Sequence, residues 1–112
     1  MSTPAPAGGP APVVEHAVLR VRPRDAADFK GALAAGRRVL LRAGGCLGVR
    51  VLECIESPGD YVVEVEWTTL ERHTVDFASS PLLAEWRSHV ARYLVAAPVV
   101  RHYAEVGIRE DS

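Results

Sequence analysis

The chain has 112 residues, 13 Lys and Arg against 14 Asp and Glu, and a formal net charge of -1. That length is one domain, and 48% hydrophobic with 24% charged residues is ordinary for a globular chain that buries a core. No basic block exists to neutralise phosphates, so a nucleic-acid footprint is missing. No apolar run approaches the roughly 20 residues a membrane-spanning helix needs.

Met1 to Pro12 is rich in Pro, Ala and Gly. It lacks the basic start and apolar middle of a secretion signal, and its composition predicts a disordered tail. Val13 to Val21 has strand character, with Val14, Val18 and Leu19 among polar residues and Pro23 stopping it. Asp25 is placed to cap a helix in which Phe29, Leu33, Leu40 and Ala43 recur at helical spacing. Gly31 and Gly36 weaken that helix by about 1 kcal/mol each relative to Ala, and small residues there suit close approach to a sheet. Gly44-Gly45 ends it.

Gly48 to Glu56 is predicted as a second strand, with Val49, Val51 and Ile55 on one face. Ser57-Pro58-Gly59-Asp60 is a turn signal. Tyr61 to Trp67 alternates strictly: Tyr61, Val63, Val65 and Trp67 point one way, Val62, Glu64 and Glu66 the other. The two runs form an antiparallel hairpin. Thr68 and Glu71 fit a capping box for a short helix carrying Leu70, His73, Thr74 and Phe77 on one face. Ser80 and Pro81 open the next helix, whose stripe is Leu83, Trp86, Val90, Tyr93 and Ala97, closed by Pro98. Val99 to Val106 is the last strand, and residues 108–112 trail off in charge. A single domain therefore spans 13–107.

The order β-α-β-β-α-β leaves one favoured topology: an α+β, ferredoxin-like fold with a four-stranded antiparallel sheet and helices on one face. The uncovered face carries Val18, Leu52, Cys54 and Val62 beside Arg20, Arg50, Glu64 and Glu66. That mixture is too apolar for a wet surface, and a second copy facing it predicts a homodimer. An amphipathic sheet left in water is the alternative. Cys46 and Cys54 fit neither a zinc knuckle nor a Cys-x-x-Cys pair, and reduced thiols point to the cytoplasm.

The stretch Asp60 to Tyr93 holds both tryptophans. A strand ending in Trp67, a short helix with His73, then Ser79-Ser80-Pro81 and Trp86-Arg87 suggest the wall of a core or an apolar pocket. The element order and the run from Glu66-Trp67 through His73 and Ser80-Pro81 to Trp86-Arg87 resemble the antibiotic biosynthesis monooxygenase (ABM) family of dimeric α+β barrels. The resemblance covers Val13 to Val106. It implies a small cofactor-independent monooxygenase that oxidises an aromatic, polyphenolic or quinol substrate with O2, needing no bound cofactor or metal. The family also contains haem-degrading enzymes. In its polyketide-oxidising members the strand-end tryptophan, matched by Trp67, lies in the substrate pocket. A tyrosine in the following helix has His73 at its place, and an arginine on the last helix matches Arg87.

Oxygenation without metal or flavin needs a base, donors for the anion and peroxide, and walls that exclude water. His73 suits the base, Trp67 a donor and stacking wall, and Arg87 the anion. His16, Tyr61, Phe77 and Trp86 are candidate substrate-binding residues. For haem degradation, His16 or a neighbour would have to replace a first-strand asparagine, and Asp76 and Phe77 stand where the haem-ligating histidine belongs. His16, His89 and His102 show no metal-ligand spacing. The chain has no asparagine at all, including before Trp67, where Val63 stands. That absence favours the alternative reading, a non-catalytic dimer that binds a small molecule or serves as a scaffold.

Overall fold

The computed structural model describes residues 11–108. The expected disordered tail lies outside them apart from residues 11 and 12, as does the expected C-terminal tail apart from residue 108. Strand β1 is Val13–Arg20, helix α1 Ala26–Leu41, β2 Cys46–Glu53, β3 Asp60–Trp67, α2 Pro81–Val90 and β4 Val99–Ala104. A six-residue π-helical segment, Arg72–Phe77, joins β3 to α2. The sheet order is β2-β3-β1-β4 with every pair antiparallel, the ferredoxin-like split β-α-β expected from the element order.

Alternation decides which face each strand residue covers. Ala17 and Leu19 of β1 and Tyr61, Val63, Val65 and Trp67 of β3 are all buried beneath the helices. Phe29, Leu33, Val39 and Leu40 of α1 close over them, and each such side chain contributes about 1.5–3 kcal/mol by leaving water. Trp67 and Phe29 have no exposed surface at all.

Several local expectations are corrected. Strand β2 starts two residues early, at Cys46, with a register shift between Cys46 and Gly48, and ends at Glu53. Ile55 therefore lies in the turn and is 89% exposed. Thr68 makes no capping box: its N–H donates to the Gly45 carbonyl, and the Thr69 hydroxyl accepts from the Arg72 N–H instead. Asp25 precedes α1 without a side-chain capping bond. Ser80 does cap α2, its hydroxyl accepting from the Leu82 N–H at 3.2 Å. Helix α2 gives way to a 3-10 turn, Ala91–Tyr93. Ala97 is thus beyond the helix and exposed, and Pro98 leads into β4. Gly36 serves helix–helix contact, not helix–sheet contact: a Cβ there would lie 2.6 Å from the Trp86 ring.

Among the described residues no helix covers the other face of the sheet. There the Glu64 carboxylate bridges His16 Nε2 at 3.0 Å and Arg50 Nη2 at 3.0 Å. Those partners hold the Glu64 carboxyl below the usual range, the His16 hydrogen bond first. Val99 and Tyr103 are exposed on the same face.

Candidate active site

A cavity of about 340 Å³ lies between the helix-covered face of the sheet and helix α2. Ala17, Val63 and Val65 form its floor, Phe77 one side, and Leu83, Trp86 and Val90 its roof. That is the size and apolar character of a small-molecule site. Its polar groups are few: Glu15 and His73 are at one end, and Arg87, exposed on α2, also borders it.

Glu15 sits in β1 at helix-facing parity with Ala17 and Leu19, and only 7% of its surface is exposed. The Trp67 indole N–H donates to Glu15 Oε1 at 2.9 Å. His73 Nε2 lies 3.5 Å from the same oxygen. On its other side, His73 Nδ1 is hydrogen-bonded to His102 Nε2 at 2.7 Å. His102 reaches this position because it is the β4 residue directly across from Glu15 in β1.

The π-helical segment supplies His73. It sets His73 and Phe77, four residues apart, against the same aromatic surface. The imidazole stacks on Trp67, centroids 5.1 Å apart and planes 18° from parallel, and Phe77 stands 5.7 Å from the same indole. Such insertions into helical geometry are frequent at functional sites.

Burial acts on the two ionisable groups in opposite senses. It raises the Glu15 carboxyl, with the Trp67 N–H pulling part of the way back. It lowers the His73 imidazole to about 4, with His102 adding to the effect. Both shifts favour the neutral form in a poorly solvated setting.

Of the expected site residues, His73, Phe77, Trp86 and Arg87 border the cavity. Trp67 stands one layer behind, reaching it through Glu15. Tyr61 is elsewhere: its ring packs on Phe29 and its hydroxyl donates to Glu53, under the first half of α1. His16 is on the opposite face of the sheet, against Glu64 and Tyr103, because it is one residue out of step with Glu15. Glu15 and His102 were not anticipated. Glu15 had a signal: a lone charge at the parity that otherwise buries Ala17 and Leu19. His102 had none, because its role depends on the register of a strand distant in sequence. Among the described residues no cluster of three His, Cys, Asp or Glu side chains has metal-holding geometry, and Cys46 and Cys54 are free thiols.

A one-domain ferredoxin-like sheet with a hollow beneath its second helix defines the class to which this chain is assigned. The family model for antibiotic biosynthesis monooxygenase matches residues 12–90, and the chain belongs to that family. It is similar to the crystal structure of a candidate antibiotic biosynthesis monooxygenase from Bordetella bronchiseptica, with 36% identity, a TM-score of 0.83, and 87% of this chain and 99% of that one covered. It also resembles an uncharacterised Bacillus subtilis protein, YczJ, at 29% identity over 84% of this chain and 99% of that protein. The fold is shared with SnoaB, a cofactor-independent oxygenase from Streptomyces nogalater, at 15% identity, a TM-score of 0.71, and coverage of 88% and 97%.

Proposed function

We propose that the chain is a cofactor-independent monooxygenase that oxidises an aromatic, polyphenolic or quinol substrate with O2 in the cavity beneath α2. One observation carries the reading: an apolar hollow of about 340 Å³ whose polar end is a buried carboxyl and a half-buried imidazole. An aromatic ring fits between Val63 and Val65 below and Trp86 above, with its hydroxyl toward Glu15 and His73. Loss of the hydroxyl proton makes an electron-rich phenolate that reacts directly with O2. The ring peroxide then breaks down to quinone and water, so a phenol plus O2 gives a quinone plus H2O. Arg87 stabilises the phenolate and peroxide. Trp67 holds the polar end in place from behind. The apolar walls keep water from competing.

The protein acts as a cytoplasmic homodimer in this reading. A second copy covers the open sheet face, where exposed Val99 and Tyr103 adjoin the paired charges of His16, Glu64 and Arg50. The second reading is a non-catalytic binding protein, favoured by the absence of any asparagine in the chain.

Oxygen uptake on 1,4-dihydroxynaphthalene tests the assignment. Wild-type protein should consume O2 faster than protein-free solution and form 2-hydroxy-1,4-naphthoquinone and water, and His73→Ala and Trp67→Phe should both slow it. Rates unchanged in both variants remove these residues from the reaction, and no uptake by the wild type favours the binding protein.

A further inference from the structure

We propose that Glu15, and not His73, accepts the acidic proton of a hydroxyl-bearing aromatic ligand in this cavity, with Trp67, His73 and His102 as the residues that position it. The assignment rests on reading the cavity as the ligand site, but not on oxygenase chemistry.

The geometry separates the two carboxylate oxygens. Oε1 receives the Trp67 indole N–H at 2.9 Å and has His73 Nε2 at 3.5 Å. Oε2 has no hydrogen-bond partner among the described residues, yet no fully buried side-chain oxygen or nitrogen there lacks one. Oε2 is therefore not fully enclosed by the described residues, and Glu15 borders the cavity, so the proposal directs this oxygen into it. A carboxylate whose second oxygen faces an apolar hollow is a directed acceptor for one O–H group.

The histidine pair fixes the direction of the other bonds. With Glu15 ionised, the favoured tautomer of His73 places its proton on Nε2, toward the carboxylate. Nδ1 then accepts from His102 Nε2–H, which accounts for the 2.7 Å contact. The Trp67 and His73 N–H groups thus both face Glu15 Oε1, and the His102 N–H is used by His73. His73 in this state has no free lone pair with which to take a proton from the cavity.

Basicity agrees with the geometry. Burial raises the Glu15 carboxyl and lowers His73 to about 4, so the two groups move toward each other. The imidazole loses the advantage it ordinarily has as a base. In the transfer, the ligand O–H bond breaks, Oε2–H forms, and the electron pair stays on the ligand oxygen. Glu15 becomes neutral, the form its burial favours. The negative charge moves to the ligand.

The test compares 2-naphthol with 2-methoxynaphthalene, which has nearly the same shape but no O–H to donate. Titration calorimetry on wild-type protein should show naphthol bound roughly tenfold to a hundredfold more tightly. Glu15→Gln keeps an acceptor for Trp67 but presents an amide to the cavity, so the preference should vanish. His73→Gln should keep most of it. Equal affinities in the wild type overturn the proposal, whether or not any variant folds. So does a preference that survives in Glu15→Gln, or one lost only in His73→Gln. Oxygen uptake on 1,4-dihydroxynaphthalene separates the two readings. A naphthol preference lost in Glu15→Gln, with no uptake by the wild type, leaves this assignment standing and removes the oxygenase. Uptake that Glu15→Gln retains at the wild-type rate overturns the assignment.

Discussion

Acidification should destabilise the protein through His73, and the size of the effect follows from the site. The imidazole is held at about 4 against an ordinary 6.5 because burial disfavours its cation. Between those two values the unfolded chain binds a proton that the folded chain refuses. The stability carried by neutral His73 is thus present above 6.5 and lost as the pH falls toward about 4. Going from about pH 7 to about pH 5, the linkage relation gives a loss of roughly 2 kcal/mol, or about 1–2 kcal/mol once partial solvation of the ring is allowed for. For a domain of this length that is about 5–10 °C in Tm. Glu15 works in the opposite direction. Its folded pKa is raised, so its stabilising contribution is complete below 4.5 and lost as the pH rises through its folded value. The total slope is therefore uninformative, and the difference between proteins is what isolates His73. Urea unfolding of wild type and His73→Gln at several pH values supplies it, because His16 and His89 are common to both. Glu15 and His102 touch His73 and do not cancel; repeating the pair in a background that carries Glu15→Gln and His102→Gln removes them. The wild type should lose about 1–2 kcal/mol more than the variant on acidification. Parallel curves would show that the His73 environment is not the desolvated one described, and the neutral-imidazole reasoning would fail.

Gly36→Ala should cost roughly 1–3 kcal/mol by overpacking, because the new methyl lands 2.6 Å from the Trp86 ring, more than the propensity gain of about 1 kcal/mol returns. Chemical denaturation measures it, and a stabilised variant would refute the close packing of α1 on α2. Trp67→Phe removes the indole donor from Glu15 and leaves a small void, a loss of roughly 1–3 kcal/mol. It should also raise the Glu15 carboxyl further, so that naphthol binding weakens toward lower pH sooner than in the wild type, and an unchanged binding pH profile would count against the Trp67–Glu15 bond. Val62→Asp places a charge at the centre of the open sheet face. Sedimentation velocity should show a dimer become a monomer with little change in far-ultraviolet circular dichroism, whereas a monomeric wild type would leave that face in water.

The fold was legible because its determinants are local. Period-two alternation in Tyr61 to Trp67 assigned the buried face of β3, and the Ser80-Pro81 signature located the start of α2. What failed was geometry that depends on neighbours. The end of β2 is set by its hairpin, so Ile55 was placed on a strand that stops before it. The π-helical segment has no composition signal, and a regular helical wheel puts Leu70 and Thr74 beside His73 and Phe77, although both are exposed.

The site was half legible for a related reason. His73, Trp86 and Arg87 came from the order of residues along one segment, which a linear reading preserves. Glu15 and His102 meet only because β1 and β4 pair in one register, Glu15 opposite His102. Yet the first strand held the clue. His16 is the first-strand residue the family resemblance singles out, but the alternation that sends Ala17 and Leu19 inward sends His16 out and Glu15 in. A charge at a buried parity costs stability unless it is paired, so its presence in β1 is itself a reason to look for chemistry there. The Trp67 N–H and the two histidines offset part of that cost. In the proposed assignment the second carboxylate oxygen is the part they leave unpaired, and a ligand's O–H group would complete the set.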